Sequence, residues 1–151
     1  DTMFADLGKA YRKAVRGFAD AGCRYLQLDE VFIAMLCDDK YRGQMTARGD
    51  NPEKLGVIYG DLINEAMSDI PSDMTITMHL CRGNYKSTFM GAGSYDAVQE
   101  ILFNKINVHG DQLAISGQCG FASTEEGNTL TEDQQWAKLR NIVEVANEVW
   151  G

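Results

Sequence analysis

The chain has 151 residues, 44% of them hydrophobic and 24% charged, an ordinary composition that suffices for one domain with a real core. Its formal net charge of −8, with Lys and Arg scattered along the chain, argues against nucleic acid as the main partner, because phosphate binding needs clustered cations. No apolar run approaches the roughly 20 residues that span a bilayer, and "DTMFADLGKAYRKAV" lacks a signal-peptide apolar region, so the expectation is a cytoplasmic enzyme or binding protein with no membrane partner.

In chain order, residues 5–21 place Leu7, Ala10, Tyr11, Ala14, Val15 and Phe18 at helical spacing, and Gly22 follows as a C-terminal stop. "CRYLQLDE" then alternates and ends in the acids Asp29 and Glu30, as a strand does when it leaves a sheet core. "FIAMLCDDKYRGQMTARGDN" is a long irregular connection with room for helical turns, and Asn51-Pro52 opens a helix carried by Leu55, Ile58, Tyr59, Leu62, Ile63 and Met67. After "PSD" breaks that helix, "MTITMHLC" reads as a second strand. Ser94 is placed to cap a helix over "YDAVQEILFNKI", "QLAISGQCG" reads as a third strand, and Thr131 caps a last helix with an apolar face of Trp136, Leu139, Ile142, Val143 and Val149. Repeating strand-helix units of this size imply parallel strands joined by crossovers, hence an α/β fold.

Four cysteines, Cys23, Cys37, Cys81 and Cys119, are widely spaced with no C-x-x-C pair, which speaks against a disulfide framework. Cys23 and Cys37 are read as small buried hydrophobes. Parallel sheets carry chemistry at strand carboxyl ends, and the three strands deliver Asp29 and Glu30, then His79 and Cys81, then Cys119. Two residues apart on a strand, His79 and Cys81 project to one face. Imidazole and thiolates suit zinc, and a catalytic zinc site takes three protein ligands with one position open, which His79, Cys81 and Cys119 could supply. On spacing alone an inert buried His-Cys pair is equally open, and the acid pair could be a solvated strand end or a cap. The "GAGS" loop lacks phosphate-binding spacing, and His109 reads as a turn residue.

With these residues in place, the sequence resembles the cobalamin-independent methionine synthases, in particular short single-barrel bacterial relatives of their C-terminal catalytic domain. The segments "AGCRYLQLDE", "HLCRGN", "QCGFASTEEGN" and "EDQQWAKLR" correspond in order, and the likeness runs over essentially the whole chain. The resemblance implies a (β/α)8 TIM barrel in which Zn2+ binds the homocysteine sulfur and presents a thiolate to a methyl donor, giving methionine. It implies His79, Cys81 and Cys119 as metal ligands, Asp29 as the acid that holds the substrate's amino group, and Glu30 as its orienting neighbour. The donor would be 5-methyltetrahydrofolate, with methylcobalamin as the alternative.

The chain departs from that pattern. The family supplies a glutamate ligand from a strand between the H-x-C strand and the last cysteine, whereas here "INVHG" runs straight into "DQLAIS". Residues 1–151 are therefore read as an incomplete C-terminal portion of one catalytic barrel domain, which typically takes around 250 residues. A segment is expected to be missing at the Gly110–Asp111 junction, along with the N-terminal half. No fourth protein ligand and no general acid are assigned, and Glu100, on a helix, is no substitute. The competing readings are a barrel relative that acts on another thiol or decarboxylates a porphyrin, and a non-catalytic remnant that binds a metal or a partner.

Overall fold

A computed structural model describes residues 2–108, 113–117 and 124–151. Helix α1 (Thr2–Asp20) leads through a turn at Gly22 to strand β1 (Tyr25–Glu30). Two short helices, α2 (Phe32–Met35) and α3 (Asp39–Ala47), occupy the connection that the sequence leaves irregular. Helix α4 (Pro52–Ala66) then returns the chain to strand β2 (Thr75–Leu80). β1 and β2 pair in parallel, as the repeated strand-helix pattern predicts. Among the described residues the sheet has these two strands, so the expected TIM barrel is met only in its α/β, parallel character.

The sheet has one core face. Leu26, Leu28, Met78 and Leu80 pack with Ile76 against a cluster that includes Val15 and Ala19 of α1 and Ile63 of α4. Small residues set how the helices meet: a methyl group at Gly8 would lie 2.9 Å from Cγ of Glu65, so α1 touches α4 along Gly8, Val15 and Ala19. That contact line leaves Leu7, Tyr11 and Phe18 exposed, and the apolar stripe read from helical spacing is only partly core. Asn51 caps α4 by accepting from the Lys54 N–H at 2.7 Å, with Pro52 in the first turn as expected.

The helix expected over 95–106 does not form as one piece. A 3-10 turn covers Tyr95–Ala97 and a π-helical turn covers Ile101–Lys105. Ser94 bonds Asp96 at 2.8 Å and makes no cap bond to backbone. Tertiary contacts override helical propensity here. The Asn64 amide donates to the Lys105 carbonyl and accepts from the Asn107 N–H, both at 2.8 Å, drawing that backbone out of the α ladder. Ile101 meanwhile fills the space left by Gly56 and Gly60 on α4.

The third predicted strand is also corrected. Residues 113–117 form no strand, and Leu113 and Ile115 are exposed, since a strand needs a partner for its backbone groups. Helix α5 (Glu132–Trp150) starts as predicted, with a capping box in which Thr131 Oγ1 accepts from Gln134 N and Gln134 Oε1 accepts from Thr131 N. Its apolar face is not core, because Trp136, Leu139, Val143 and Val149 are exposed and no α5 residue is buried.

Asp38 joins α3 to the loop after β2. Its carboxylate accepts from Lys40 N at 2.9 Å and from Ala92 N at 2.8 Å, and the Ala92 N–H is the first cause holding its pKa below the ordinary value of 3.8. A depressed carboxyl contributes stability that is complete above its unfolded pKa and is lost as pH falls through the folded one. Asp38→Asn is expected to flatten the acid limb of stability below about pH 4, measured by urea unfolding across that range.

Candidate metal centre

The register of the two strands sets Asp29 opposite His79 and Glu30 opposite Leu80. Side chains alternate along each strand, so Asp29 and His79 share the face away from the core, and Cys81, two residues beyond His79, joins them. Thr77 and Tyr25 lie on that same face and are linked at 3.0 Å through their hydroxyls. The Asp29 carboxylate, His79 imidazole and Cys81 sulfur each offer an atom within 4.8 Å of the others. This is the single group of three or more such side chains among the described residues.

Burial grades across the cluster. Asp29 is exposed, His79 is half-buried and Cys81 is 4% exposed, so the thiol forms the floor and the carboxylate the rim. Zinc bonds of 2.0–2.3 Å put tetrahedral ligand atoms about 3.3–3.8 Å apart. An imidazole nitrogen and a thiol sulfur side by side match a borderline-soft divalent ion, so His79 and Cys81 fit zinc, with the Asp29 carboxylate beside them at the rim.

Backbone geometry holds Cys81 in place. Its N–H donates to the Glu30 carbonyl at 2.6 Å, extending the ladder one residue past β2. The Gly83 N–H donates to the Cys81 sulfur at 3.3 Å. Gly83 has φ +71°, and a methyl group there would come within 2.8 Å of Met90, so glycine is required for this turn.

The next residue, Arg82, is 8% exposed yet pairs with no acid among the described residues. Its guanidinium donates to the carbonyls of Ala92 and Gly93 at 2.9 Å and of Gly91 at 3.5 Å, and it stacks over the Tyr95 ring at 4.3 Å. Gly93, at φ +90°, presses so close to the Cys37 carbonyl that a methyl group would lie 2.0 Å from its oxygen. The loop after Cys81 is thus bound at its far end to the α2–α3 connection.

Glu30 is placed differently from Asp29. Its carboxylate accepts from the Ile33 N–H at 2.6 Å and the Phe32 N–H at 3.1 Å, tying the end of β1 to α2. Burial pushes the Glu30 carboxyl up against the opposing pull of those two N–H groups, and the neighbouring Asp29 adds to the rise. Cys119 and His109 lie outside the described residues. Cys37 is buried, and burial pushes its thiol up, in keeping with an inert apolar cysteine.

Ser116 was not singled out by sequence reasoning. Its hydroxyl lies 3.3 Å from His79 Nδ1, placed to orient the imidazole as outer hydrogen-bond partners of metal ligands do. No sequence pattern marked this serine. Arg82 carried a stronger signal, a charge directly following a buried strand end.

No family model matches the chain. Two Bacillus subtilis proteins, both described as uncharacterized, are 39% identical: YxjH over 207 positions, covering 99% of this chain and 55% of the relative, and YxjG over 202 positions, covering 96% and 53%. Both alignments are longer than the 151 residues of this chain, so these relatives carry positions with no counterpart here. A crystal structure from Listeria monocytogenes, described as a "Putative Vitamin-B12 Independent Methionine Synthase", is 32% identical with a TM-score of 0.54. It is matched over 99% of this chain and 55% of that protein. The chain therefore spans about half the length of the proteins it matches, and it is an α/β protein similar to part of a methionine synthase-like structure.

Proposed function

We propose that this chain carries the thiol-activating centre of a zinc-dependent methyltransferase that converts homocysteine to methionine. The observation that carries the proposal is the convergence of Asp29, His79 and Cys81 at the carboxyl ends of two parallel strands. The Listeria likeness supports the same reading. His79, Cys81 and Cys119 would hold the ion and leave one position open. When bound there, zinc lowers the pKa of a substrate thiol so that the thiolate, the actual nucleophile, is present at neutral pH.

The chain's own residues do the rest. Asp29, on the exposed rim, accepts hydrogen bonds from the homocysteine ammonium, a charge-assisted contact two methylene groups from the sulfur. Glu30 anchors β1 to α2 and thereby fixes the direction in which Asp29 leaves the strand. Ser116 orients His79. The methyl donor on this reading is 5-methyltetrahydrofolate, with methylcobalamin as the alternative.

A non-catalytic, metal-binding remnant is the second reading, favoured by the positions of the two Bacillus subtilis relatives that have no counterpart within this chain. An assay of methionine formation from homocysteine with each donor separates the two. The parent chain is expected to form methionine, and Cys81→Ser is expected to form none. Activity that survives Cys81→Ser would sink the zinc-thiolate mechanism, whereas zinc retention without methionine would support the remnant.

A further inference from the structure

Two helices carry apolar seams that no other described element covers. On α1, Leu7, Tyr11, Ala14 and Phe18 recur at alternating steps of four and three residues. On α5, Trp136, Leu139, Val143, Ala146 and Trp150 recur at steps of three and four. Such steps line side chains up along one side of a helix, the pattern with which paired helices interdigitate. At 1.5 Å per residue the two seams are about 17 and 21 Å long. Leu7, Tyr11 and Phe18 are exposed on the first, and Trp136, Leu139, Val143 and Trp150 on the second.

The chain as a whole exposes more surface than a folded monomer should. Its solvent-accessible area is 9921 Å². A compact monomer of this length exposes about 7,600 Å², so the excess is about 2,300 Å². An obligate homodimer removes about 1,000–2,500 Å² from each partner. The excess is therefore the size of one side of such an interface.

Charge selects how the seams meet. Helix α1 carries four cations and two acids, net +2, whereas α5 carries four acids and two cations, net −2. Among the described residues no α5 acid forms an ion pair, and neither does Lys13 of α1. Pairing α1 with α1, or α5 with α5, sets like charges together. Pairing α1 with α5 sets opposite charges together.

We infer that the chain forms a two-fold homodimer in which the α1 seam of each copy packs on the α5 seam of the other. A two-fold axis generates this contact twice, so all four seams are covered at once and none is left to recruit a third copy. The inference does not rest on the zinc reading, and its test needs no metal.

The test is sedimentation velocity of the full 151-residue chain over a wide concentration range, with far-ultraviolet circular dichroism as the check on folding. The parent is expected to have twice the mass of the chain. Both tryptophans of the chain lie on the α5 seam, so dilution through dissociation should move their fluorescence to longer wavelength. Leu7→Gln with Phe18→Gln removes one seam, and Trp136→Gln with Val143→Gln removes the other. These side chains are exposed within one copy, so helix content should stay at the parental level. Each pair of changes should weaken association by at least about 100-fold. Each variant keeps the seam that the other lacks, so an equimolar mixture should recover a heterodimer held by one α1–α5 contact, weaker than the parent and tighter than either variant alone.

A parent that stays monomeric over the whole range would overturn the inference and assign the seams to a different polypeptide. Parental association in either variant would move the interface elsewhere. A mixture as dissociated as its components, or open-ended growth of the parent with concentration, would overturn the reciprocal α1–α5 pairing.

Discussion

Cys81→Ser is expected to abolish zinc binding while leaving the chain folded. Serine is nearly isosteric with cysteine and can accept the Gly83 N–H in place of the sulfur, so the local turn has no reason to open. A neutral hydroxyl is nevertheless a far poorer zinc ligand than a thiolate. The affinity should fall by well over the roughly 100-fold that marks loss of an outer partner. Thermal unfolding with and without metal reads this directly. At zinc a thousandfold above its Kd, the parent should gain about 4.1 kcal/mol, and a variant weakened by more than 100-fold should gain less than about 1.4 kcal/mol. An equal zinc-induced shift in both proteins would remove Cys81 from the ligand set, leaving the Asp29, His79 and Cys81 cluster a coincidence of strand register.

The second large effect is expected away from the metal. Arg82→Met keeps the long apolar stem but deletes every donor that holds Gly91, Ala92 and Gly93. The carbonyl of Gly91, a buried residue, costs about 1–3 kcal/mol when left without a partner, whereas Ala92 and Gly93 are exposed and their carbonyls can turn to water. A loss of about 1–3 kcal/mol in urea unfolding is therefore expected, a sizeable share of the 5–15 kcal/mol by which domains are normally stable. Arg82→Lys should recover less than half, because an ammonium cannot span three carbonyls or stack flat on Tyr95. A loss below about 1 kcal/mol in Arg82→Met would mean that water satisfies the loop carbonyls as well as the guanidinium does.

The parts of this architecture that announce themselves in sequence are those fixed by local chemistry. Alternation marked β1 and β2, Asn51-Pro52 and Thr131 marked the starts of α4 and α5, and the two-residue spacing put His79 and Cys81 on one face. What sequence could not specify was register. Asp29 meets His79 because two strands some fifty residues apart pair with Tyr25 opposite Thr75, and a slip of one residue would have turned Asp29 toward the core. The helix expected over 95–106 failed for a related reason, since the pull of Asn64 on Lys105 and Asn107 comes from another element. Glu30 read as chemistry beside Asp29, yet strand alternation sends its carboxylate to the N–H groups of α2. The apolar stripes of α1 and α5 were visible, but what covers an apolar stripe is a property of neighbours and not of the helix itself.

Gly93 carries a consequence for anyone who maps this protein by genetics. Its close approach to the Cys37 carbonyl and its left-handed backbone leave no room for any side chain, and its own carbonyl is one that Arg82 holds. In a saturation screen scored by survival, every substitution at Gly93 would register as null, alongside changes at Cys81, although Gly93 contributes no group to the centre. A heat map of such a screen would show two dark spots of equal depth, one marking where chemistry happens and the other where the chain has been folded too tightly to edit. Only a screen that reports abundance separately from activity would tell the two apart.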